Sequence, residues 1–104
     1  MDLSKMMKQA QKMQKDLATA QAALGQRTVE ATAGGGKVTV TATAAGDVTA
    51  IRIDPSVVDP SDVEMLEDLV LTGVRAALAE GRRVSEAEMK KLTAGMGLPP
   101  GMGF

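Results

Sequence analysis

Apolar residues at the start of the chain recur in alternating steps of three and four: Leu3, Met6, Ala10, Met13, Leu17, Ala20 and Leu24, with Met7 beside them. This heptad stripe predicts an amphipathic helix from Leu3 to Leu24. At 1.5 Å per residue such a helix is about 33 Å long, comparable to the width of a 100-residue globule, so it should project or pair. Gly25 stands where a left-handed stop would end it. The period then drops to two. In Lys37–Ala44, Val38, Val40, Ala42 and Ala44 take one face and Thr39, Thr41 and Thr43 the other. Gln26–Ala33 alternates more weakly through Val29 and Ala31, and Val48–Ile53 ends with Ile51 and Ile53 on one side. Gly34–Gly36 and Ala45–Asp47 are the turns, so the three segments predict an antiparallel meander.

Asp54-Pro55 ends the sheet, and Asp59-Pro60-Ser61-Asp62 offers an N-cap followed by a proline at the first helical position. Helical spacing of Val63, Leu66, Leu69, Val70, Val74, Ala77 and Leu78 continues to Glu80, giving a face that should lie on the sheet. Gly81 interrupts the pattern, and Ser85-Glu86-Ala87-Glu88 has the form of a capping box for a short last helix through Lys90, Lys91 and Leu92. The pattern leaves open whether the two segments fuse. Residues 95–104 are mostly Gly, Pro and Met without periodicity and are expected to be a C-terminal tail, leaving 1–94 as a single domain. The predicted class is α+β in the order α-β-β-β-α-α.

Composition narrows the function. Phe104 is the sole aromatic residue, so the core must be built from Ala, Val, Leu, Ile and Met. A core of small side chains is thin, and a second subunit would help. With no Cys and no His, disulfides, thiolate nucleophiles and imidazole bases or ligands fall away. No catalytic residue, metal site or cofactor is expected. Scarce aromatics also count against single-stranded nucleic acid, which is held by stacking bases on rings. No signal segment and no apolar run of about 20 residues is visible, which leads to the expectation of a soluble protein of the cytoplasm.

The net charge of −1 conceals a polar pattern. Residues 1–27 carry Lys5, Lys8, Lys12, Lys15 and Arg27 against Asp2 and Asp16, whereas residues 46–80 carry eight acids against Arg52 and Arg75. At 100° per residue the four lysines fall within about 80° of one another, roughly opposite the apolar stripe. A merely solvated face usually mixes signs; this one does not. Successive lysines are about one turn apart, so their ammonium groups can follow a row of phosphates. Arg82, Arg83, Lys90 and Lys91 form a second cationic group, which would join the first if the terminal helices lay side by side. Gly34-Gly35-Gly36-Lys37 is no phosphate loop, because Val38 follows the lysine and the glycines lead into a strand. The acids from Asp54 to Asp68 lack the EF-hand order.

Several stretches together carry a resemblance. Met6-Met7-Lys8-Gln9-Ala10-Gln11-Lys12-Met13-Gln14, the glycine turn before Lys37-Val38-Thr39-Val40, Ile51-Arg52-Ile53-Asp54-Pro55, Glu67-Asp68-Leu69-Val70, Lys91-Leu92-Thr93 and the Gly-Leu-Pro ending are similar, in order and spacing, to the YbaB/EbfC nucleoid-associated proteins. That resemblance implies a tweezers-like homodimer whose terminal helices grip duplex DNA in the nucleoid. By position, the contacts would come from Lys5, Lys8, Lys12 and Lys15, then Arg82, Arg83, Lys90 and Lys91. The stripe Leu3, Met6, Ala10, Met13, Leu17 and Leu24 would serve dimerisation or packing. The alternative from another class is a protein-interaction module in which that stripe and the methionines hold a replication or repair partner.

Overall fold

The computed structural model describes residues 2–95. Helix α1 spans Leu3–Gln26, and the Asp2 side chain caps it by accepting from the Ser4 amide at 3.0 Å. The helix does not stop in a left-handed turn at Gly25, which lies inside it at a helical, not a positive, φ. The reason is the connection. Strand β1 begins at Thr28, and the Ala44 amide already donates to the Arg27 carbonyl at 2.9 Å, so a single extended residue joins helix to ladder.

Strands β1 (Thr28–Ala33), β2 (Val38–Thr43) and β3 (Val48–Ile53) form the expected meander in the order β1-β2-β3. Ala33 pairs with Val38 and Thr28 with Thr43; on the other side Val38 pairs with Ile53 and Val40 with Ile51. Gly34, Gly35 and Gly36 all hold positive φ, between 63° and 91°, a path that three consecutive side chains could not follow. A bulge opposite Thr41/Ala42 leaves Thr49 as the extra residue of β3.

After a 3-10 turn at Pro55–Val57, the second helix, α2, runs unbroken over Val63–Gly95. One expectation is corrected here, and the open question of the last two helical segments is answered. Asp59 does not cap the helix; its carboxylate accepts from the Ser61 amide and hydroxyl at 2.9 and 2.7 Å, closing a separate turn, and Asp62 takes the capping role by accepting from the Met65 amide at 3.2 Å. The two helical segments whose fusion the sequence left open are one helix. Gly81 sits inside α2 because the helix presses on the end of β2: a Cβ there would stand 2.9 Å from the Thr43 carbonyl oxygen. Gly73 allows the same close approach one core layer earlier, where a Cβ would meet Val40 Cγ2 at 2.9 Å. The expected tail, apart from Gly95, lies outside the described residues.

Helix α2 covers β1 and β2 and only grazes β3. Beneath it Ala33, Val38, Val40, Ala42 and Ala77 form the core, with Val38 and Val40 the largest fully buried side chains. A second, smaller cluster of Leu24, Ala44 and Val84, with Val29 and Met89 against it, ties the end of α1 to α2. The remainder of α1 projects as an arm. The radius of gyration is 19.5 Å and the longest extent 71 Å, against about 13 Å for the radius of a compact chain of this length.

Candidate nucleic-acid interface

The arm is held at its base. Leu24 packs on Val84 and Met89, and the Arg27 guanidinium donates from Nη1 to Glu88 Oε1 at 2.7 Å. Lys15 lies nine residues and Lys5 nineteen residues before Leu24, which places them about 14 and 28 Å out along the helix axis. Lys5, Lys8, Lys12 and Lys15 are all exposed, and none forms an ion pair among the described residues. They span ten residues of one helix face, about 15 Å, matching four to five steps of a DNA strand at about 3.4 Å each. Exposed ammonium groups without ionic partners among the described residues can neutralise phosphates and release their condensed counterions.

The second cationic group behaves differently. Arg83 is engaged with Glu80, donating from Nη2 and Nε to Oε1 at 2.6 and 3.1 Å. Lys91 Nζ stands 3.5 Å from Glu88, while Arg82 lines a groove and Lys90 is exposed without an ion pair among the described residues. These four do not join the lysine row. Among the described residues α1 packs on α2 through Leu24, near its own C-terminal end, so Arg82, Arg83, Lys90 and Lys91 lie by the base of the arm. The Glu80–Arg83 pair was legible as an i, i+3 spacing that sequence reasoning passed over. Arg27, which sequence reasoning counted only as charge, pairs across the base of the arm; its partner is 61 residues away, and no local signal marks it.

Glu88 feels both Arg27 and Lys91, and the Arg27 hydrogen bond foremost holds its carboxyl below the ordinary glutamate value of 4.5. Because the folded value is the lower one, the pair's contribution is present above that range and lost as pH falls through the folded value. In a carboxyl-carbon NMR titration, Arg27→Gln should move the Glu88 midpoint upward toward the ordinary value. An unchanged midpoint would show that the pair does not anchor the arm in solution.

An open groove of about 890 Å³ lies between α1, the β2–β3 turn and α2, lined by Leu17, Leu24, Leu78 and Met89 among others. Arg82 is its one ionisable lining residue, so the groove brings together no acid and base. Among the described residues no helix is long and apolar enough to cross a membrane.

Comparison with known proteins agrees with this geometry. The chain is 54% identical over 104 residues to a nucleoid-associated protein of Akkermansia muciniphila, covering 100% of both chains. It is 50% identical over 101 residues to a nucleoid-associated protein of Acetivibrio thermocellus, covering 97% of this chain and 89% of the other. The fold matches the crystal structure of an uncharacterised protein from Helicobacter pylori with a TM-score of 0.63 at 24% identity, over 92% of this chain and 97% of that one. The model of the YbaB/EbfC DNA-binding family matches residues 1–96. With the family model matched over residues 1–96 and relatives of this similarity, the chain belongs to the YbaB/EbfC DNA-binding family.

Proposed function

We propose that the protein is a non-enzymatic component of the nucleoid, in the cytoplasm, that coats or bridges duplex DNA as a homodimer, mainly through phosphate contacts. The observation that carries this is the one-sided row of Lys5, Lys8, Lys12 and Lys15 on a projecting arm, exposed and without ionic partners among the described residues. Lys90, and Arg82 where it faces the groove, add positive potential at the arm's base. Arg83 and Lys91, being shared with acids, contribute less. Recognition of this kind reads charge and groove shape rather than base edges. The test is fluorescence anisotropy of a labelled duplex over a salt series. Binding should weaken linearly in log salt, and an absence of salt-sensitive binding near 50 mM salt would sink the proposal.

Homodimerisation has its own support in the fold. Because α2 leaves β3 largely uncovered, Ile51 and Ile53, on the same face as Val40 and Val38, remain 43% and 40% exposed. Beside them Leu66, Val70, Leu71 and Val74 of α2, together with Glu67, line a mainly apolar trough of about 440 Å³ with Ile53. A second copy placed there removes this surface from water and supplies the core that two buried valines alone make thin. Ile53→Glu should therefore yield a folded monomer by analytical ultracentrifugation, with duplex affinity reduced at least tenfold because one arm replaces two. A variant that remains dimeric would place the interface elsewhere.

A further inference from the structure

The apolar stripe of α1 is only half used inside the chain. Leu24 is buried and Leu17 lines the groove beneath α2, but farther out Leu3, Met6, Met7 and Met13 stand 71%, 49%, 59% and 39% exposed. An arm whose only task was to carry lysines would not need large apolar side chains on its opposite face. Their arrangement is that of a seam: Leu3, Met6, Ala10, Met13 and Leu17 keep the three-four spacing by which two helices interlock. The positions flanking the seam are Met7, Gln9, Gln14 and Asp16, with no cation among them. All four lysines fall at outer heptad positions, away from it. A second α1 can therefore lie along this face without setting lysine against lysine. The two lysine rows then point outward in opposite directions.

We infer that the α1 arms of two different dimers pair through this seam while each arm is bound to DNA, so that a paired arm carries one duplex on either side and ties the two together. The inference rests on the proposed function, both the lysine face as the DNA-binding face and the dimer formed through β3 and α2. Two heptads with alanine at the centre are short of the three to four that sustain a coiled coil, and two arms each bearing four lysines repel. Phosphates neutralise that repulsion, and DNA holds neighbouring dimers at high effective concentration. Arm pairing is therefore coupled to DNA occupancy rather than present in the free protein.

The chain contains no cysteine, so one engineered thiol reports on the seam. Ala10 lies midway along it and would face its counterpart in either helix direction; Gln11 points away. Full-length Ala10→Cys, treated with a short bis-maleimide, should cross-link at least about tenfold more with duplex present than without, joining two dimers into a tetramer, while Gln11→Cys should stay at background. The uncharged double variant Met6→Gln/Met13→Gln should bind a single duplex within about threefold of the native protein yet fail to retain a fluorescent duplex on a biotinylated one. Retained bridging by that variant overturns the inference, as do cross-links confined within one dimer. A native protein that binds no duplex at all instead removes the lysine-face proposal on which this one stands, and the two failures are told apart by the single-duplex measurement.

Discussion

Changing Lys5, Lys8, Lys12 and Lys15 together to Gln should lower duplex affinity near 50 mM salt on the order of a hundredfold or more and flatten its salt dependence. If each lysine meets one phosphate, a dimer makes eight contacts, and the slope of log affinity against log salt approaches about −7. Between 50 and 200 mM salt that is a loss of about four orders of magnitude for the native protein. The variant should keep only the shallow slope left by cations at the base of the arm. Fold is not at stake: all four residues are exposed and in no ion pair among the described residues, and Gln matches Lys closely in helix propensity. Unchanged circular dichroism beside lost binding is the expected pair of results. A variant that binds as tightly, with an undiminished slope, would transfer the interface to Arg82, Lys90 or some other surface.

How much of this was legible in the sequence depends on the range of the interaction. The arm, the meander and the lysine face follow from periods of 3.6 and 2, which are local, and the structure has them within a few residues of where the pattern placed them. The start of α2 was misplaced by three residues because Asp59 and Asp62 are both competent caps. Asp59 is drawn into its own turn with Ser61, which no periodicity announces. Among the cations, spacing located every candidate but did not say which would be taken up by acids. Lys5, Lys8, Lys12 and Lys15 have only Asp2 and Asp16 on or capping their helix, whereas Arg83 and Lys91 each have a glutamate three residues earlier. The ion pair at the base of the arm joins residues 27 and 88, and only the folded chain brings them together.

Gly81 is the position where local and tertiary demands conflict, and the second large effect is expected there. By propensity alone glycine inside a helix costs about 1 kcal/mol relative to alanine, so a replacement by any residue but proline should help. Contact with the sheet reverses the sign. A Cβ at this position would lie 2.9 Å from the Thr43 carbonyl oxygen and 3.4 Å from Ala44 Cα, and both belong to backbone that cannot rotate aside. Gly81→Val must lift α2 from the end of β2 and gains little propensity in return, so about 3 kcal/mol of stability should be lost, or roughly 12–20 °C in Tm at fixed protein concentration. Gly25 supplies the control. It too stands inside a helix, with nothing within 4 Å of where its Cβ would be, and Gly25→Ala should leave stability unchanged or raise it by up to about 1 kcal/mol. Val84, three residues past Gly81, belongs to the cluster that holds the base of the arm, so the lifted helix should also free α1. Gly81→Val assayed below its Tm should then bind DNA more weakly although every lysine is intact. Equal stability of the two glycine variants would mean that α2 does not approach the sheet this closely.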